Sequence, residues 1–172
     1  MKKQSSLKWI MLGVAIVINV FILANACING SASAEESGRV AKFLASIINF
    51  FAHDAINSSN FDTFAAVMRK LIGHFGLFVA DGLASTYALH LFVKNTKFKC
   101  VYYQIGSSLI FGFLVAAISE IIQIFTPDRY GTWGDIGIDF AGYFVGTGIV
   151  ILILFLTHQV TFKKEEKVQD LQ

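Results

Sequence analysis

Proline occurs once in 172 residues, cysteine twice, and charge is scarce: fourteen Lys and Arg and twelve Asp and Glu make up 15% of the chain. A typical soluble domain is about 25% charged and about 45–50% apolar. Two cysteines are too few for a disulfide-stapled secreted domain. A net charge of +2 excludes a basic nucleic-acid-binding arm, so no nucleic-acid partner is expected. The low charge content comes with 55% hydrophobic residues, 17 of them Phe, which excludes a disordered chain and argues against an ordinary soluble enzyme.

What the chain has is long apolar runs. Four spans stand out: Trp9–Ile28, Leu71–Val93, Tyr103–Phe125 and Ile136–Thr157. At 1.5 Å per residue, runs of this length cross a hydrocarbon core of roughly 30 Å. Inside lipid a segment must satisfy its own backbone groups, so each span is predicted to be a helix. The expected fold is an all-α membrane protein, one domain over residues 1–172, with four transmembrane helices.

Lysine positions predict the orientation. Lys2, Lys3 and Lys8 precede the first span, Lys94, Lys97 and Lys99 lie between the second and third, and Lys163, Lys164 and Lys167 follow the fourth. The positive-inside rule puts this side, and both termini, in the cytoplasm of a bacterial inner membrane. Trp9, Tyr102 and Tyr103 would mark the inner interface, and Tyr130 and Trp133 the outer one. Residues 1–34 also resemble a secretory signal, with Ala32-Ser33-Ala34 as a cleavage box. An apolar run near 20 residues exceeds the usual 7–15 of a signal, which favours a retained anchor. Cys27 and Cys100 fall at opposite membrane faces and are not expected to pair.

The loop from Asn29 to Lys70 is long enough to hold structure. Val40, Phe43, Leu44, Ile47, Ile48 and Phe51 recur at helical spacing and form one apolar stripe. An amphipathic helix on the outer face is expected, either lying on the leaflet or capping the helix ends. Asn57-Ser58-Ser59-Asn60 reads as a turn, and Asn60 with Asp62 as the start of a helix that runs on into the second span.

Ionisable residues within a span are costly and mark candidate sites. His74, Asp81, Glu120 and Asp139 are the informative ones. Counted from the span ends, His74, Glu120 and Asp139 lie roughly 5–8 Å below the outer boundary on three different helices. Their shared depth predicts one outward-facing polar layer, with Arg69, Lys70 and Arg129 at its rim. His74 and Asp81, seven apart, are expected on one helix face, as are Asp135, Asp139, Gly142 and Gly146. The Gly142–Gly146 GxxxG permits close helix packing. Ser119 neighbours Glu120 but points about 100° away, and Gln123 follows on the Glu120 side. Structural roles are also open: Asp135 as a helix cap, and Arg129 in a salt bridge to Glu120 or Asp139.

These residues carry a resemblance. Ser119-Glu120, Gln123, Pro127, Arg129, Asp135, Asp139, Gly142 and Gly146, preceded by Arg69-Lys70 and His74-Phe75, resemble the signature of the VanZ-like family over roughly residues 64–157. The family often has Asn where this chain has Asp139, and Tyr where it has Phe78. The resemblance implies a small bacterial inner-membrane protein. Its name-giving member is linked to low-level resistance to teicoplanin, a glycopeptide that binds cell-wall precursors.

Three functions compete. The first is binding of a lipid headgroup or lipid-linked envelope precursor through Arg69, Lys70, His74, Ser119, Glu120, Gln123, Arg129, Asp135 and Asp139, because guanidinium and ammonium groups suit phosphate oxygens. The second is a membrane-embedded enzyme on a lipid-linked substrate, with His74, Glu120 and Asp139 as candidate acid–base groups. The third is a structural partner protein whose polar network fixes helix packing. No HExxH or comparable spacing is present, and neither a metal nor a cofactor is expected, although a divalent ion at His74, Glu120, Asp135 and Asp139 is conceivable.

Overall fold

A computed structural model describes residues 2–96 and 100–160, with side chains from Ser6 onward. Lys97, Lys99, Lys163, Lys164 and Lys167, which enter the orientation argument, lie outside the described residues. The described chain is helical throughout: α1 (Lys2–Ala26), α2 (Gly30–Phe51), α3 (Phe61–Val93), α4 (Val101–Ile124) and α5 (Trp133–Leu156). Helices α1, α3, α4 and α5 are long and apolar enough to cross a membrane. The polarity of the bundle suits lipid. Val17, Phe21, Ile110, Leu114, Phe144 and Leu152 are exposed, while Asp81, His90, Gln104, Glu120 and Asp139 are buried. A water-soluble bundle would show the reverse arrangement.

The four long helices alternate in direction. The starts of α1 and α4 lie at one end with the ends of α3 and α5; the 27–60 and 125–132 connections lie at the other, called here the loop end. Packing is tightest between α3 and α5, and glycine is the reason. A Cβ on Gly142 would run into the Phe75 carbonyl, one on Gly146 into the Val79 carbonyl, and one on Gly82 into the Tyr143 carbonyl. The backbones therefore approach as closely as small residues allow. Below this contact hydroxyls join three helices. Thr86 Oγ1 lies 2.5 Å from Ser108 Oγ and 2.9 Å from Thr147 Oγ1. The Tyr143 hydroxyl lies 3.2 Å from Ser108 Oγ. Such interhelical bonds contribute about 0.6 kcal/mol each.

Helix α3 is continuous from the first loop into the membrane, but not uniform. Arg69–Gly76 is π-helical, closed by the Leu77 N–H on the Ile72 and His74 carbonyls. Asn60 sits at the N-cap position without capping: its side chain accepts from the Asn57 N–H at 2.8 Å and donates to the Ala55 carbonyl at 2.9 Å. The turn itself uses the amide, so the helix start keeps only Asp62 as its first-turn acid.

Helix α5 starts at Trp133, three residues earlier than the apolar run. Thr132 is its cap, accepting the Asp135 N–H at 3.0 Å. The capping role expected of Asp135 therefore belongs to Thr132, and Asp135 instead accepts the Thr132 hydroxyl at 2.9 Å.

The first loop folds as α2. Its N-terminus docks on the α4–α5 connection, where the Gly30 N–H donates to the Pro127 carbonyl at 3.0 Å. A Cβ on Gly30 would collide with the Asp128 carbonyl. Ala41 and Ala45 are the buried positions of α2, whereas Val40, Phe43, Ile47 and Phe51 of the apolar stripe are exposed. The Asn49 side chain accepts from the Ile56 N–H at 2.8 Å and donates to its carbonyl at 2.7 Å, which ties down the turn that follows.

Candidate functional site

Three helices bring ionisable side chains to one layer at the loop end. Ligand atoms of His74 on α3, Glu120 on α4 and Asp139 on α5 all lie within 4.8 Å of one another. His74 Nδ1 is 3.0 Å from Asp139 Oδ1. Toward the rim Lys70 Nζ is 2.8 Å from Asp135 Oδ1, so α3 and α5 are joined by two polar pairs in successive turns. The glycine contact below sets this spacing, since Asp135, Asp139, Gly142 and Gly146 lie on one face of α5.

Glu120 is held by neutral donors. Gln123 Nε2 donates to its Oε1 at 2.6 Å, and the Thr132 N–H donates to its Oε2 at 3.0 Å. Gln123 is held in turn by Arg129, whose Nη1 donates to Gln123 Oε1 at 3.1 Å. The rest of the guanidinium fork is committed to α1 and the residues after it: Nε donates to the Ile28 carbonyl at 2.9 Å and Nη2 to the Asn25 carbonyl at 3.0 Å. The expected Arg129 salt bridge to Glu120 or Asp139 is thus replaced by two backbone carbonyls and an amide. Desolvation, with the nearby Arg69 acting in the same direction, pulls the Arg129 pKa below its ordinary value, while Glu120 opposes the shift.

Apart from Glu120, these groups line a cavity of about 460 Å³. Its polar lining includes Arg69, Lys70, His74, Ser119, Gln123, Arg129, Thr132, Asp135 and Asp139, and Ile22, Leu77 and Phe78 supply apolar wall. Helix α2 contributes Ser33, Glu36, Ser37 and Val40. The Ser119 hydroxyl is occupied by the Ala116 carbonyl at 2.9 Å. Arg69 is exposed, and among the described residues it makes no ion pair and no side-chain hydrogen bond.

Asp81 is not part of this constellation. It accepts Asn19 Nδ2 and the Ser85 hydroxyl, each at 2.7 Å, in contact with α1. The seven-residue spacing from His74 predicts a shared face, but the π-helical stretch that contains His74 changes the angular register between the two. Sequence reasoning also passes over Thr132, the carbonyls of Asn25 and Ile28, and the α2 wall. A further omission is His90, buried near the far end of α3 with its Nδ1 3.0 Å from Gln104 Oε1. His90 had a signal: it is an imidazole three residues inside a predicted span.

A sequence model of the family described as VanZ/LLP1 matches residues 9–156 of the chain. No curated protein and no solved structure matches it.

Proposed function

The chain belongs to the VanZ/LLP1 family, and from this we propose that it binds the headgroup of a phospholipid or a lipid-linked envelope precursor in the cavity at its loop end. The observation that carries the reading is Arg69, an exposed cation on the cavity wall with no protein partner among the described residues. It stands within electrostatic reach of a second guanidinium, Arg129. Two nearby cations, one unneutralised, suit a phosphate, which guanidinium groups meet with paired donors. Ile22, Leu77 and Phe78 give the cavity an apolar side for the first methylenes of a lipid. Asp139 and Gln123 would orient hydroxyl or amide groups of the ligand.

The loop end then faces outward, with both termini in the cytoplasm of the bacterial inner membrane. Lys8 and Lys94 at the opposite end support this orientation. The exposed stripe of α2 would rest on the outer leaflet. Sequestering or shielding a cell-wall precursor there would lower the effect of a glycopeptide such as teicoplanin.

The test is lipid analysis by mass spectrometry of protein purified in mild detergent. One phosphate-bearing lipid class should be enriched over bulk membrane, and Arg69→Glu should abolish the enrichment while protein yield is kept. A lipid profile equal to bulk membrane sinks the reading. The His74–Asp139 pair favours a second reading, acid–base catalysis on the same class of lipid. Product formation that disappears in His74→Ala would select it.

A further inference from the structure

Glu120 and Asp139 are both buried carboxylates, and neither has a Lys or Arg bonded to it among the described residues. Their partners are the Gln123 amide, the Thr132 N–H and the His74 imidazole. Lys70 is spent on Asp135, and Arg129 on carbonyls and Gln123. Two buried carboxylates this close, with an imidazole as the one ionisable group bonded to them among the described residues, leave the layer short of directly bonded positive charge.

We propose that His74, Glu120 and Asp139 form a binding site for one divalent first-row cation such as Zn²⁺ or Mn²⁺. One imidazole nitrogen and two carboxylate oxygens are donors these ions accept, whereas Mg²⁺ and Ca²⁺ favour all-oxygen sets. The 3.0 Å between His74 Nδ1 and Asp139 Oδ1 fits two ligands of a single ion with bonds of roughly 2 Å. The third residue, Glu120, has its ligand atom within 4.8 Å of these, a gap that the His74 and Asp139 side chains would close on binding. The Glu120 carboxylate is already held in place by Gln123 and the Thr132 N–H. Three protein ligands leave open positions, and His74 and Asp139 line the cavity. The ligands come from three helices, so no local spacing in the sequence could reveal them. Under the lipid reading, an ion here gives a bound phosphate a second positive partner beside Arg69; the ion site itself does not depend on that reading.

The experiment is metal titration of purified, tag-free protein in detergent with Zn²⁺ and Mn²⁺ alone, read by calorimetry and by elemental analysis after dialysis. About one ion per chain is expected, with affinity falling at least tenfold in Glu120→Gln and in Asp139→Asn. Asp81→Asn, a buried carboxylate outside the cluster, should bind as wild type. Wild-type protein that takes up neither ion overturns the proposal, as does uptake unchanged in both variants. Should those variants fail to fold, pulsed EPR of wild-type protein with bound Mn²⁺ decides: a histidine nitrogen coupling supports the site, and its absence overturns it. Lipid enrichment measured in parallel with a chelator keeps failure of the metal site distinct from failure of the lipid reading.

Discussion

Arg129 sets the orientation of the Gln123 amide: its Nη1 donates to Gln123 Oε1 at 3.1 Å, which leaves Gln123 Nε2 to donate to Glu120 at 2.6 Å. The glutamine converts a guanidinium on one side into a donor aimed at the carboxylate on the other. An amide offers an acceptor on one atom and donors on another at the same terminus, which a carboxylate does not. Gln123→Glu should therefore be much worse than its size suggests, because it sets a second carboxylate against Glu120. A loss of about 2–3 kcal/mol of stability is expected, because Glu120 loses its amide donor and faces a like charge at close range. Thermal unfolding in detergent measures it; a melting temperature equal to wild type would refute the relay.

The glycines separate into two groups that mutagenesis can tell apart. Gly82 and Gly146 meet backbone atoms of the facing helix, whereas among the described residues nothing lies within 4 Å of a Cβ position at Gly106 or Gly148. Replacing Gly146 with Leu should deplete folded protein, since overpacking costs about 1–3 kcal/mol or more. Alanine at Gly106 or Gly148 should be neutral or stabilising by up to about 1 kcal/mol, the helix-propensity gain. Folded yield by fluorescence-detected size exclusion gives the ranking.

Asp81 and Asn19 should behave as a coupled pair. Among the described residues, Asp81 Oδ2 and Asn19 Oδ1 are buried without a hydrogen-bond partner, while Asn19 Nδ2 satisfies Asp81 Oδ1. Asn19→Leu removes that donor from a buried carboxyl and should cost about 1–3 kcal/mol. Adding Asp81→Leu should recover part of the loss, because removing both polar partners is milder than removing one. Additive losses in this double-mutant cycle would contradict the pairing.

The two native cysteines report on orientation. Cys27 is exposed at the loop end, and Cys100 lies at the opposite end as the residue before α4. A membrane-impermeant maleimide added to intact cells should label Cys100→Ser protein at Cys27. It should leave Cys27→Ser protein unlabelled until the membrane is opened. The inverse pattern would place the cavity on the cytoplasmic side.

Much of this could be read from the sequence, because hydrophobicity along a membrane helix is a local property. The run Ile136–Thr157 marks α5, displaced from Trp133–Leu156 only where Thr132 rather than Asp135 caps it. Depth counting similarly grouped His74, Glu120 and Asp139 on three helices. The partners of Arg129 were not legible, since two of them are main-chain carbonyls, which every residue possesses. Nor was the angular relation of His74 to Asp81, which follows from a hydrogen-bond pattern that side-chain periodicity does not encode.

The wide turn at Arg69–Gly76 has a consequence for how this helix can vary. Any inserted or deleted residue in a regular helix swings everything beyond it by about 100°. Here the wide turn can absorb such a change, but only before Phe75, whose carbonyl packs on Gly142 of α5. The end of α3 that bears Arg69, Lys70 and His74 would then take a new direction while the helix from Gly82 onward stays locked. The helix is in effect a fixed post with an adjustable head.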